Sequence, residues 1–270
     1  MSHRLADHPS LALESIIKII LELPKDKVMF SKGLNDLKVN FDDALTEDTM
    51  KFDLIEIVET IRNSNSYIAA RNLELHPSFK DLYNNIISDV EAFMKANGTG
   101  TKAHEPMLWL FIASPGAVTP FHFDRFTNFI MQIRGSKELA VFPPHKEEVI
   151  KASDVEAYLD WRGQTPEWKD SMDVYASKFN FKQGEAVHIP YTSGHYVKNG
   201  MDDISITLSV FYHTDETLRW SKAMRFNHRM RSFGLRPKPV GSSVNIDGIK
   251  ASLFPIANII SSASRKFLRR

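Results

Sequence analysis

The chain has 270 residues, no cysteine, a formal net charge of +1, 43% hydrophobic and 11% aromatic residues. That length suits one large domain or two small ones with a real apolar core, and the missing cysteine excludes disulfides and thiolate metal sites. No apolar run spans a bilayer, SLFPIANII being far too short, and the opening MSHRLADHPS lacks a signal-peptide layout, so a cytoplasmic protein is expected.

Residues 11–24, LALESIIKIILELP, carry apolar residues at helical spacing and stop at Pro24, which predicts a short amphipathic helix. DKVMFSKGL reads as a strand ending at Gly33, and the acid-rich residues 37–48 read as surface loop. A helix is expected over 51–63, a strand from Ser64 to Leu73, a helix from Pro77 to Lys95, and a loop over 96–104 with Gly98 and Gly100. Met107 to Ala113, MLWLFIA, is a continuous apolar run and predicts a strand buried on both faces.

The stretch GAVTPFHFDRFTNFIMQIRGSKELAVFPP carries the chemistry. His122 and Asp124 are two residues apart, so on a strand both project to one side. His195, in IPYTSGHYVKN, is the expected third ligand. Its rival, His188, sits inside the strand-like VHIP. Two His and one carboxylate on one face of a metal leave the opposite positions open, which suits Fe(II) oxygen chemistry. Phe129 to Ile133, a turn at Gly135 and Leu139 to Phe142 read as a hairpin. Lys137 falls in its second arm. An exposed hairpin lysine is the bland reading. A buried ammonium would need an anionic partner to offset its lost hydration, and a dicarboxylate would supply one.

From His145 to Asn180 the pattern breaks down into charged, irregular sequence with Trp161, Pro166 and Trp168. An insertion of this length serves as a lid or substrate rim, or else both Trp pin it to the body. Ala186 to Pro190 and Ile204 to Tyr212 return to strand pattern. In the latter Ile204, Ile206, Leu208 and Val210 share one face, while Ser205, Thr207 and Ser209 share the other. A small polar inner face fits a barrel that encloses a polar ligand. Residues 216–233 predict a basic amphipathic helix ending at Gly234, whose apolar side packs on the barrel or on a second copy. Residues 234–248 read as a linker and 249–270 as a terminal helix. From Thr217 to Arg270 there are twelve Lys or Arg against one acid, Asp247. This asymmetry fits an anionic partner, or a tail folded back on an acidic body. No stacking or groove-reading module accompanies the basic segment, so nucleic acid is not an expected partner.

TPFHFD…NFIMQIRGSKELAVFPP resembles the JmjC group of Fe(II)/2-oxoglutarate oxygenases, nearest to the branch typified by the factor-inhibiting asparaginyl hydroxylase. IPYTSGH resembles the segment carrying that family's distal iron ligand. KVMFSKGLND, MKFDLIEIVETI and SYIAARNL are similar to its opening strand, helix and next strand. The likeness covers roughly residues 25 to 215. It implies a mainly β fold, a double-stranded β-helix of cupin or jelly-roll type. N-terminal helices and strands (1–105) would buttress a catalytic core (106–215), and a basic helical extension (216–270) would follow. It implies Fe(II) on His122, Asp124 and His195, and 2-oxoglutarate with its far carboxylate on Lys137, helped by Thr119 and Tyr67. Asn128 would lie close to metal and co-substrate. Ser209 stands where the asparaginyl hydroxylase has Asn, which puts the pocket's details in doubt but not the triad.

The implied activity is a dioxygenase that uses O2 to hydroxylate a C–H bond, with succinate and CO2 as co-products. A peptide or protein side chain is the first expected substrate and a small molecule the second. Demethylation would run through the same hydroxylation. Two readings of other classes stand beside it. One is a non-oxidative metal-binding cupin, which predicts that Lys137 is dispensable. The other is a scaffold presenting the basic C-terminal segment, which predicts that His122→Ala is harmless. A homodimer through the C-terminal helices is a further expectation.

Overall fold

The computed structural model describes residues 1–32, 35–44 and 60–268. Its strands are β1 (Val28–Lys32), β2 (Ser66–Arg71), β3 (His104–Ala113), β4 (Val118–Phe123), β5 (Thr127–Arg134), β6 (Ser136–Val141), β7 (Ser177–Lys182), β8 (Ala186–Ile189), β9 (Gly194–Asn199) and β10 (Ser205–His213). They form two sheets. The larger runs β1-β2-β3-β10-β5-β8 and the smaller β4-β9-β6-β7, with every pairing antiparallel. A cavity lies between them, lined from both. This is the jelly-roll architecture that the strand pattern and the resemblance implied.

The alternation along β10 decides which way the large sheet faces. Ile206, Leu208 and Val210 join Leu108, Leu110 and Ile112 of β3 in the main apolar core. That core is covered by α1 (Leu13–Glu22), through Ile16, Ile19 and Ile20, and by α3 (Lys80–Ala96), through Leu82, Ile86, Val90 and Met94. Residues four apart line one stripe of a helix, so α3 presents a continuous apolar edge to the sheet. Fully burying a side chain of this kind is worth about 1.5–3 kcal/mol. The opposite face of β10, with Ser205, Thr207 and Ser209, looks into the cavity. On β3, Leu108, Leu110 and Ile112 are buried in the core, whereas Trp109 and Phe111 are only partly buried and line the cavity.

Several expectations are corrected. The hairpin over 129–142 is a corner: β5 pairs with β10 and β8 in the large sheet, while β6 pairs with β9 and β7 in the small one. Gly135 turns that corner with φ +74°, where a Cβ would stand 2.5 Å from the Ile204 carbonyl oxygen, so only glycine fits. A Gly between two apolar runs is common to hairpins and sheet-to-sheet corners, and the local pattern does not separate them. Residues 37–44 are not simply surface loop, because α2 (Phe41–Ala44) packs against β4. Residues 45–48, Gly33 and the expected helix over 51–59 lie outside the described residues.

The insertion after β6 contains α4 (Ala152–Leu159), a 3-10 segment at Asp170–Tyr175 and edge strand β7. Trp168 is buried against Phe121, Phe142 and Tyr196. Trp161 is 73% exposed. One tryptophan is buried in the body; the other lies exposed over the Arg125 guanidinium. The C-terminal helices are α5 (Asp215–Ser232), with a Thr214–Thr217 capping box, and α6 (Val244–Leu268), which starts ahead of the expected Ile249. α5 packs mainly on α6 and α4. Its arginines fold back on acids of α4 and the turn after it: Arg231 Nε lies 2.6 Å from Glu156, and Arg229 Nη2 lies 3.0 Å from Asp160. Part of the basic tail is thus neutralised within the chain.

Candidate metal centre

β4 and β9 are neighbours in register, with His122 directly opposite His195. The two ring centroids are 4.2 Å apart. Asp124 follows one residue after the end of β4, and its Oδ2 lies 3.6 Å from His195 Nε2. One ligand atom from each of the three lies within 4.8 Å of the other two, a spacing that a single divalent cation can bridge. Each imidazole is oriented from behind. The His122 Nδ1–H donates to the Pro120 carbonyl at 2.8 Å, and the His195 Nδ1–H donates to the Ser193 carbonyl at 3.1 Å. That assigns the tautomer and leaves both Nε2 lone pairs free to ligate. Asn128 hydrogen-bonds the Asp124 carboxylate.

Burial governs the electrostatics. Desolvation pushes the Asp124 carboxyl up, an effect opposed by His195 and by the Asn128 hydrogen bond. Desolvation holds His122 well below the ordinary imidazole range, and neighbouring His195 lowers it further. A carboxylate and two imidazoles confined together are what a hard-to-borderline dication stabilises. Phe41 stacks on the His122 ring at 3.9 Å and 15°. Nothing in the acid-rich sequence around it signalled that role.

The far end of the same cavity holds Lys137, 8% exposed. Its ammonium donates to the Thr207 hydroxyl, which donates to Gln132 Oε1 at 3.0 Å; Gln132 Nε2 in turn donates to Ser205 Oγ at 2.9 Å. Among the described residues no carboxylate pairs with it within 4.0 Å. Burial alone lowers its pKa to about 7. Tyr67 and Thr119, both buried, hydrogen-bond each other beside it; burial is the main reason the Tyr67 phenol is pushed up.

All eight residues singled out from the sequence line this one cavity: Tyr67, Thr119, His122, Asp124, Asn128, Lys137, His195 and Ser209. His188 does not; its ring packs on Phe129 and Phe93. The sequence reading missed Phe41, Trp109, Phe111, Asn199 and Phe211, which also line it. Four buried polar atoms in the wall have no partner among the described residues: Trp109 Nε1, Asn128 Oδ1, Asn199 Oδ1 and Ser209 Oγ. Buried polar atoms are nearly always paired, so these four are hydrogen-bonding capacity that the cavity offers to water or a polar ligand.

A match to the family profile of the cupin-like domain covers residues 26–217, well over half of the chain. The chain belongs to the cupin-like domain family. The solved structures it resembles are more distant. The ribosomal oxygenase YcfD from Escherichia coli, in complex with cobalt and succinic acid, is 11% identical over 92% of this chain and 59% of its own, at a TM-score of 0.46. The polyketide cyclase RemF from Streptomyces resistomycificus is 21% identical over 41% and 56%, at 0.26. Oxalate decarboxylase from Bacillus subtilis is 20% identical over 49% and 29%, at 0.28. This cupin-like chain spans less than two thirds of each of them. At such overlaps they bear on neither substrate nor reaction. Among the described residues, no helix is long and apolar enough to cross a membrane.

Proposed function

We propose that this cupin-like chain is a 2-oxoglutarate-dependent dioxygenase that hydroxylates a C–H bond, with His122, Asp124 and His195 as ligands of Fe(II). The observation that carries the proposal is Lys137. A buried ammonium with a hydroxyl partner and, among the described residues, no carboxylate, in the same cavity as a His-Asp-His cluster, suits an anion bound beside a metal. Structural lysines are seldom left so.

Fe(II) in such a site supplies the oxidation, coupling decarboxylation of 2-oxoglutarate to succinate and CO2 with insertion of one oxygen atom of O2 into the substrate. The chain supplies the rest. Lys137 binds the far carboxylate, and Thr207 and Gln132 orient its ammonium. Tyr67 and Thr119 offer hydroxyls to the same group. The carbonyls of Pro120 and Ser193 hold the imidazoles in place, and Asn128 holds Asp124. Aromatic walls from Phe41, Phe111 and Phe211 keep water out. A peptide or protein side chain is the substrate we favour, and a small molecule the alternative.

The test is succinate formation from 2-oxoglutarate by the Fe(II)-loaded protein under O2. The expected result is turnover that disappears in His122→Ala and Lys137→Met. A loaded protein that makes no succinate would point to a metal-binding cupin without oxidation.

A second copy of the chain is also proposed as partner. On the outer face of α6, Ile246, Ile249, Leu253 and Ile256 are 42–60% exposed, at the 3-4-3 spacing of a helix–helix seam. No charged residue lies between Lys250 and Ile259, as a basic membrane-surface helix would require. Light scattering should give a dimer mass for the wild type and a monomer for Leu253→Asp; a wild-type monomer at micromolar concentration ends that reading.

A further inference from the structure

The orphaned atoms are not spread evenly around the cavity. Trp109 on β3 is directly opposite Ser209 on β10, and strand alternation puts both side chains on the cavity side. Trp109 Nε1 and Ser209 Oγ are both buried and both without a partner. A buried indole N–H ordinarily finds an acceptor. Here neither the indole N–H nor the hydroxyl on the facing strand has one among the described residues, and both border the same space.

Their position along the strand is informative. Lys137 meets β10 at Thr207. Ser209 lies two residues further, roughly 7 Å along the strand, about the reach of a five-carbon dicarboxylate. One step beyond again, Phe211 is opposite Asn128, which holds Asp124. A dicarboxylate anchored on Lys137 therefore ends its chain at Ser209 and Trp109, beside the metal ligands. An indole N–H and a hydroxyl that can both donate at that level suit a carboxylate. The Trp109 ring is buttressed by Phe211, whose centroid is 5.0 Å away, so the N–H is held in place before a ligand arrives.

We infer that the Trp109 indole N–H, with the Ser209 hydroxyl beside it, donates hydrogen bonds to the metal-side carboxylate of a bound 2-oxo dicarboxylate, and so selects such acids over ligands lacking that group. The inference rests on the 2-oxoglutarate reading above. It makes Trp109 a residue that positions and selects the co-substrate, with no part in the oxidation.

The experiment is calorimetric titration of the Mn(II)-loaded, oxygen-free protein with 2-oxoglutarate and with 4-oxopentanoate. The second compound keeps the far carboxylate and the ketone but lacks the metal-side carboxylate. Trp109→Phe keeps the ring and removes the N–H. It should weaken 2-oxoglutarate by about 10- to 100-fold, the usual range for a hydrogen bond to a charged group, and leave 4-oxopentanoate within about 2-fold. Ser209→Ala, which leaves the aromatic packing alone, should shift 2-oxoglutarate in the same direction. Unchanged 2-oxoglutarate binding in both variants, or equal weakening for both ligands, overturns the inference while the oxygenase reading stands. A wild-type protein that binds no 2-oxoglutarate overturns both.

Discussion

Two buried polar clusters in this molecule are built on opposite plans. Under α5, the fully buried carboxylate of Asp160 faces Arg162 at 3.0 Å, Arg229 at 3.0 Å and Arg225 at 3.4 Å. Next to it, Glu156 takes Arg231 at 2.6 Å and the Asn227 amide at 2.8 Å. Between the sheets, Lys137 has the Thr207 hydroxyl and, among the described residues, no carboxylate. Burial penalises charge equally in both places. In the helical cluster the opposite charge is already part of the chain, so its work is to fasten α4 to α5. In the cavity no opposite charge faces Lys137 among the described residues, and the proposed co-substrate would supply it.

That contrast predicts opposite outcomes for removing a charge. Asp160→Ala leaves the buried Arg229 guanidinium without its anion and should destabilise the fold by about 3–5 kcal/mol, read as a lowered urea midpoint. Lys137→Met removes an ammonium that no carboxylate among the described residues pairs. The ligand-free variant should be as stable as the wild type or more so, while 2-oxoglutarate binding falls by about 100-fold. A Lys137→Met protein as destabilised as Asp160→Ala would erase the distinction.

The pH dependence separates the clusters more finely. Burial lowers Lys137 from its ordinary value of 10.5 to about 7. Between those values the unfolded chain binds the extra proton, so the ligand-free fold gains stability from this group as pH rises through that window. Dicarboxylate affinity runs the other way, falling by up to about tenfold per unit above pH 7 as the ammonium is lost. Lys137→Met should flatten that profile, and a slope that persists in the variant assigns it to another group. The smallest effect is at Trp161. Its ring covers the Arg125 guanidinium at 3.8 Å but is 73% exposed, so Trp161→Ala should cost at most about 1 kcal/mol. Trp168→Ala, in the core, should cost about 3–5 kcal/mol.

Much of this was legible in the residues. The period-two pattern of β10 announced both the sheet and its polar inner face, because one side of that strand had to be apolar to meet α1 and α3. The spacing of His122 and Asp124 was weak by itself and gained meaning from the apolar arms around it and from the resemblance, while Lys137 stood out by lying in an apolar run. What stayed hidden depends on long-range pairing. The corner at Gly135 looks locally like a hairpin, and only the separate partners of β5 and β6 show otherwise. Phe41 sits among acids, and its contact with His122 crosses 81 positions of sequence. Trp109 read as an ordinary member of a buried strand. Its orphaned N–H acquires meaning only once Ser209 is known to face it. Asp160 and Glu156 likewise gave no sign of being buried, since acids in a charged insertion are ordinarily solvated.

The central claim is that one cavity holds a metal at His122, Asp124 and His195 and a 2-oxo dicarboxylate on Lys137. Anaerobic titration of the Fe(II)-loaded protein with 2-oxoglutarate, followed by visible absorption, tests it directly. The account predicts a weak metal-to-ligand charge-transfer band that saturates, is absent in His122→Ala and needs far more ligand in Lys137→Met. A properly loaded wild-type protein that develops no band, or a band indifferent to Lys137, would contradict it.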